Sequence, residues 1–328
     1  MTLNQDSPLA LVTGATGAVG PALVAELLHQ GYRVRVLSRT RPTQPLFPDS
    51  VEFLTGDVCD RDTVHTALID TQLVFHLAAL LHVTNPSPEL RAEYEHVNVD
   101  ATRIVAEEAA RAKTQRMVYF STVKVYGVQS AEPIPETHSV NPETDYAITK
   151  LNGERAALDH MDTTILRLSP IYGARLRGSW RYLVTAIKKG VFLPVGSLQN
   201  VRSLTHVDDA SKAALIVANH PLSANQAYNL VAHESITMEV ILDAIYAAFD
   251  KRRPRIIIPT PLVHTGVGLL EFGLGMVGKR SPLTQDSIVQ LTQSETYSGA
   301  KLRALGFQPQ ISLEEGWRQT VDAIVARS

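Results

Sequence analysis

The sequence predicts an α/β chain, a doubly wound parallel sheet carrying a smaller C-terminal lobe. Three observations predict it. Short β-branched runs alternate with longer helical patterns through the first half, several of these runs are apolar throughout, and a glycine-rich turn separates the first run from the first helix. Strand–helix alternation implies crossover connections and a parallel sheet, and strands with no polar alternation belong to a sheet covered by helices on both faces.

Leu9–Thr13, Arg33–Leu37, Val51–Thr55, Leu73–Leu77, Met117–Ser121 and Thr163–Leu168 read as the strands. Helical patterns fill the intervals at Ala18–Gln30, Arg61–Ile69 with Asp60 as its N-cap, Tyr94–Lys113 and Asp145–His160. After about Gly173 the beat becomes irregular. Helical patterns remain at Arg181–Lys189, Val207–Asn219, Met238–Asp250 and Leu313–Arg327, the last opened by the capping-box pair Ser312 and Glu315. The expected division is a dinucleotide-binding domain over 1–173, to which 201–220 returns, and a substrate lobe over 174–328.

Composition excludes several function classes. The 328 residues carry 31 Lys+Arg against 33 Asp+Glu, a net charge of -2, which gives no broad basic footprint for nucleic acid. Cys59 is the single cysteine, so neither an internal disulfide nor a four-cysteine zinc site is available. The start lacks a basic segment followed by a long apolar one, and the apolar run Leu262–Gly278 is interrupted by His264 and Glu271. A cytoplasmic protein with no membrane span is expected. For that run a packed lobe helix is preferred over a pocket lining or a membrane contact. The basic stretch Lys251–Arg255 reads as a solvated turn.

In LALVTGATGAVG, Gly14, Gly17 and Gly20 stand between the first strand and first helix, where glycine lets the backbone approach a pyrophosphate seated on the helix N-terminus. The second strand ends at Ser38, followed by Arg39 and Arg41, and the next carboxylate is only Asp49. A hydroxyl and a guanidinium suit a ribose 2'-phosphate better than a 2'-hydroxyl, so NADP(H) is favoured over NAD(H). Asp57, in TGDV, is placed either to accept from the adenine amino group or to cap the turn that follows. Tyr146 and Lys150 lie four residues apart near the start of a helix and so on one face. An ammonium and a positive nicotinamide nearby should bring the phenol towards working pH.

Together these motifs resemble the extended short-chain dehydrogenase/reductase family, the NAD(P)-dependent epimerase/dehydratase group with its Rossmann-type fold, over nearly the whole chain. TGATGAVG resembles its glycine loop, GDV its adenine contact, HLAA (His76–Ala79) the loop after its fourth strand, STVKVYG (Ser121–Gly127) its Ser/Thr string, YAITK its Tyr-x3-Lys, and HVDDA its segment near the lobe junction. The resemblance implies a cofactor site of Gly14, Thr16, Gly17, Ala18, Val19, Gly20, Ser38, Arg39, Asp57, Val58, Leu77, Ala78, Ala79, Tyr146, Lys150 and Pro170. It implies Thr122, Tyr146 and Lys150 as catalytic residues. Tyr146 would exchange a proton with a substrate oxygen that Thr122 also binds. Asn98 falls where relatives place an asparagine beside the site, a role weighed equally against a structural one.

Dehydratases of the family carry an Asp-Glu pair after the catalytic Thr. Here Val123 and Lys124 stand there, leaving epimerisation or carbonyl reduction. For the substrate, Lys124 and Arg202 are the candidate contacts. Arg202, in NVRSLTHVDD, holds the place where nucleotide-sugar relatives bind the diphosphate, whereas Pro170 replaces an asparagine donor. The expectation is a nucleotide-sugar 4-epimerase or keto-sugar reductase, with an NADPH-dependent reductase of a hydrophobic ketone as the alternative and a non-catalytic dinucleotide sensor as a remote one. His206, Asp208 and Asp209 are read as junction or capping residues rather than metal ligands. The resemblance also implies a homodimer paired through Tyr94–Lys113 and Asp145–His160.

Overall fold

The structure is a computed structural model that describes residues 7–81, 88–263, 265, 267 and 291–326. Seven parallel strands form the main sheet: β1 (Leu9–Thr13), β2 (Arg33–Ser38), β3 (Glu52–Thr55), β4 (Thr71–His76), β5 (Arg116–Thr122), β6 (Thr163–Leu168) and a later strand, Ala227–Leu230. Their order is β3-β2-β1-β4-β5-β6 and then that late strand. The order reverses between β1 and β4, and it is at such a switch point, beyond the strands' C-terminal ends, that open α/β sheets bind ligands.

Both faces are covered, which is why β1 and β5 read as continuous apolar runs. On one face, Ala10, Val12, Val118 and Phe120 pack with Leu23, Leu27, Ala213 and Val217, contributed by α1 (Gly20–His29) and Val207–Asn219. On the other, Leu11, Met117 and Tyr119 meet α2 (Arg61–Leu68) and the helices that follow β4 and Tyr126. The second face is built by α3 (Pro88–Glu95), α4 (Ala101–Arg111) and α5 (Asp145–Leu158). The helix expected at Tyr94–Lys113 is interrupted by a π-helical turn at His96–Asp100, between α3 and α4.

Beyond β6 the chain forms β7 (Ile171–Tyr172), α6 (Gly178–Lys188), β8 (Val201–His206), α7 (Val207–Asn219), β9 (Ala227–Leu230), β10 (His233–Thr237), α8 (Met238–Ala248), α9 (Ala300–Arg303) and α10 (Leu313–Val325). Strand β8 lies between β10 and β7 in a small separate sheet, while α7 packs on α1 and β9 is the seventh strand of the main sheet. The lobe has its own core. Trp317 of α10, fully buried, stacks on Tyr172 with ring centroids 4.7 Å apart, and Leu183, Ile187, Ile241 and Ile245 surround the pair. Ser312 caps α10 by accepting from the Glu315 N–H at 3.2 Å. Most of the run Leu262–Gly278 lies outside the described residues, and its first residue, Leu262, is exposed. No helix among the described residues is long and apolar enough to cross a membrane.

Candidate active site

The glycine loop begins where β1 ends. Gly14 has φ +68°, and a Cβ there would lie 2.5 Å from the Ala78 nitrogen; at Gly20 it would lie 2.0 Å from the Ala15 carbonyl oxygen. Both positions therefore admit only glycine. The first lets β1 run against the segment after β4, and the second lets α1 start directly behind the loop. Thr13 ties the two strand ends, its carbonyl accepting from Leu77 N–H (3.1 Å) and its hydroxyl from Ala78 N–H (3.3 Å). Neutral His76 bridges Thr13 and Thr102 at 2.7 and 3.1 Å, and burial drives its pKa down to about 3, helped by the Lys150 charge.

Thr16, Gly17 and Ala18 are half-buried along the loop, and Val19 packs into the core. Arg175, at the root of the lobe, donates to the Thr16 carbonyl at 3.1 Å. At the end of β2, Ser38 is half-buried, its hydroxyl donating to the Thr40 carbonyl at 3.2 Å, and Arg39 is exposed. Arg41 stacks over Phe53, 5.0 Å from the ring centroid. Asp57 is exposed and its Oδ1 accepts from the Cys59 N–H at 3.0 Å, the turn-capping alternative; Val58 is buried beside it.

Thr122 ends β5 and N-caps the short 3-10 turn Val123–Tyr126, accepting from Lys124 N–H at 3.2 Å. Thr144 N-caps α5, which places Tyr146 in the first turn and Lys150 one turn later. The three side chains converge. The Thr122 hydroxyl is hydrogen-bonded to Tyr146, and Lys150 is buried with Nζ 4.0 Å from the Tyr119 ring centroid. Asn98, fully buried in the π-helical turn, accepts from Leu80 N–H at 2.8 Å and donates to the Leu80 carbonyl and the Thr149 hydroxyl. It thereby clamps the loop after β4 to α5, and every bond it makes is to the protein frame.

Burial dominates the charge state of the pair in the protein's own surroundings. Burial pushes the Tyr146 phenol up to about 12 against the opposing hydrogen bond from Thr122, and burial pulls the Lys150 ammonium down to about 7 despite the nearby Glu154. The protein matrix alone therefore keeps the phenol protonated. Desolvation outweighs the Thr122 hydrogen bond at Tyr146 and the Glu154 charge at Lys150.

Arg202 lies on β8. It is only 5% exposed, and its Nη2 lies 3.1 Å from Oε2 of Glu295, which is 2% exposed. Lys124 Nζ holds the other carboxylate oxygen at 2.6 Å, and Tyr297 donates to the same oxygen at 2.8 Å. Both candidate substrate cations thus converge on one buried carboxylate. Burial acts to raise the Glu295 pKa, but Lys124 and Arg202 hold it below the usual carboxylate range. Pro170 gives its carbonyl to Thr205 N–H at 3.0 Å. His206 caps α7 through the Asp208 N–H at 3.4 Å, and buried Asp209 accepts from Gln310 and Ile311. No cluster of metal-binding side chains occurs among the described residues.

Four participants escaped the sequence: Tyr94, whose ring lies 6.4 Å from Tyr146, Arg175, Glu154 and Glu295. Glu154 alone had a local signal, lying one turn after Lys150. It receives a bidentate contact from Arg167 at 3.1 and 2.8 Å and a hydrogen bond from Ser121.

A family model described as the NAD dependent epimerase/dehydratase family matches residues 10–230. The chain belongs to the NAD dependent epimerase/dehydratase family. Its glycine loop and its Thr–Tyr–Lys group both lie within the matched span. Among curated relatives, UDP-glucose 4-epimerase of Vibrio cholerae is 29% identical, over 96% of this chain and 95% of that one. The 3 beta-hydroxysteroid dehydrogenase/Delta 5-->4-isomerase of Mycobacterium tuberculosis is 30% identical, over 96% of this chain and 90% of that one. Among solved structures, UDP-glucose 4-epimerase of Thermotoga maritima superposes with a TM-score of 0.76 at 21% identity, covering 97% of this chain and 99% of that one. At that identity the superposition establishes the shared Rossmann-type fold.

Proposed function

We propose that this family member is an NAD(P)-dependent oxidoreductase or epimerase that moves hydride at a hydroxyl or keto carbon of a nucleotide sugar, as a 4-epimerase or a keto-sugar reductase. The observation that carries the chemistry is the convergence of Thr122, Tyr146 and Lys150 at the switch point beside the glycine loop. The full-length likeness to a UDP-glucose 4-epimerase carries the substrate class.

The residues fit a dinucleotide, because the space a Cβ would fill at Gly14 and Gly20 is already taken by neighbouring backbone, which leaves a bare, closely wound loop at the N-terminus of α1. Gly14 to Gly20 would hold the pyrophosphate, Ser38 and Arg39 the adenosine ribose, Asp57 and Val58 the adenine, and Tyr146 and Lys150 the nicotinamide ribose. Leu77, Ala78, Ala79 and Pro170 would line the remainder of its path. Ser38 and Arg39, with no carboxylate at the end of β2, support NADP(H) over NAD(H). When bound, the dinucleotide supplies the hydride acceptor or donor. Thr122 orients the substrate oxygen by hydrogen bonding. Tyr146 gives that oxygen a proton as a carbonyl is reduced, or takes one as a hydroxyl is oxidised. Lys150 would hold the nicotinamide ribose and support the phenolate.

A second reading, an apolar hydroxy or keto compound, is supported by one observation: the Arg202 charge is already matched by Glu295. Melting the NADP(H)-loaded protein with UDP, dTDP, GDP and CDP separates the two, since a ligand that binds the folded state raises its Tm. A rise with one nucleotide is the expected result. No rise with any, together with turnover of a 3β-hydroxysteroid, would replace the nucleotide-sugar reading with the second. We also propose a homodimer paired through α3–α4 and α5, where Ile148 and Leu158 are exposed on α5; analytical ultracentrifugation tests it.

A further inference from the structure

Two neighbouring segments of the lobe, 181–196 and 251–263, carry large aliphatic side chains turned to solvent. Val191 is 71% exposed, Ile256 70% and Leu262 65%, with Leu193 and Ile257 also exposed. The segments are stitched together: Ile258 N–H donates to the Pro194 carbonyl at 2.8 Å, Gly196 N–H to the Ile258 carbonyl at 3.0 Å, and Lys251 Nζ to the Lys188 carbonyl at 2.7 Å. The exposed aliphatic side chains therefore lie on two segments held side by side.

The charge around them is one-sided. The two segments hold Arg181, Lys188, Lys189, Lys251, Arg252, Arg253 and Arg255 and not a single Asp or Glu. Arg253 is ion-paired, to Glu239 at 2.7 Å and Asp243 at 2.6 Å on α8, whereas among the described residues Lys188, Lys189, Arg252 and Arg255 have no acidic partner. Gly190 and Pro194 keep Val191 and Leu193 off any helix or sheet that could bury them. Exposed aliphatics and unopposed cations carried on the same two adjoining segments match the depth profile of an anionic bilayer, in which side chains meet acyl tails below a layer of negative headgroups.

We propose that these segments dock the protein peripherally on an anionic lipid surface, with Val191, Leu193, Ile256 and Leu262 entering the headgroup–acyl boundary and Lys189, Arg252 and Arg255 lying on the headgroups. Each basic residue near an anionic leaflet raises partitioning by about fivefold, and salt screens that gain over about 10 Å. The experiment is co-sedimentation of the full chain with phosphatidylcholine vesicles, with and without phosphatidylglycerol. Binding should require phosphatidylglycerol and weaken with added salt. Arg252→Gln with Arg255→Gln should lower partitioning by about thirtyfold, and Val191→Glu with Ile256→Glu should abolish it. Both variants should keep the wild-type Tm, since the substituted side chains are exposed. Failure of the wild type to sediment with phosphatidylglycerol vesicles overturns the proposal, as does undiminished binding of either variant. A fall in molecular mass of Val191→Glu with Ile256→Glu in solution, without loss of vesicle binding, overturns it in favour of contact between copies.

Discussion

Glu295→Gln removes one negative charge from the lobe while keeping the side-chain volume and one acceptor oxygen for Tyr297. In the native protein that charge faces Arg202 at 3.1 Å and Lys124 at 2.6 Å. The two cations respond differently to its loss. Lys124 has a side chain 46% exposed and can turn to water, but the Arg202 side chain is 6% exposed and loses a buried carboxylate partner. Breaking a buried pair from one side costs about 3–5 kcal/mol, and the retained acceptor places this variant near the lower end, about 3 kcal/mol. The half-exposed partner gives the control: Lys124→Met should cost no more than about 1 kcal/mol. Urea unfolding at pH 7 reads both. The carboxyl adds a pH signature. Its folded pKa lies below the ordinary 4.5, so its stabilisation is present above that pH and fades as pH falls through the lower folded value. The acid limb of stability should therefore be flatter in Glu295→Gln. Stability within about 1 kcal/mol of wild type, with an unchanged acid limb, would refute the view that Arg202 is neutralised in place.

Tyr146→Phe should lower turnover by about a hundredfold or more while leaving NADPH binding, measured by fluorescence titration, close to wild type; preserved activity would remove Tyr146 as the proton carrier. Lys150→Met tests the buried ammonium. With a folded value of about 7 against 10.5 unfolded, the unfolded chain binds more protons between those limits, so wild-type stability should rise with pH across that window. The rise should shrink in the variant when urea midpoints are compared. Gly14→Ala would set a Cβ 2.5 Å from the Ala78 nitrogen on a backbone at φ +68°. A cost of about 1–3 kcal/mol and a clear loss of dinucleotide affinity are expected, read by Tm with and without NADPH.

The first six strands were legible because each carries a short apolar or β-branched run between helical patterns, unbroken in β1 where both faces are covered, with the glycine loop marking where β1 meets α1. Strand β9 was not, because AYNL is four residues long and carries a polar asparagine whose partners, Tyr126 and the Ile134 carbonyl, are about a hundred residues away. The catalytic group was legible for a local reason: Tyr146 and Lys150 share one helical face and Thr122 ends a strand. The substrate side depends on distant pairing. Glu295 meets Lys124 across 171 residues, and no local pattern around ETYSG announces it. The burial of the phenol was not legible for the same reason, because it comes from the folded surroundings of Tyr94 and Tyr119 rather than from the helix that carries it.

The late return of β9 also governs how the chain may be divided. Excising residues 1–173 would strip the partner from β6, whose Ile165, Leu166, Arg167 and Leu168 pair with Ala227, Tyr228, Asn229 and Leu230. The resulting raw edge, largely aliphatic and already in strand geometry, is a template for intermolecular pairing. A fragment ending at the foot of the lobe should precipitate or fibrillise, whereas one carried through Leu230 keeps its border strand. Protease nicks within the lobe would leave the two pieces clasped together, since the cut ends remain anchored on the same sheet.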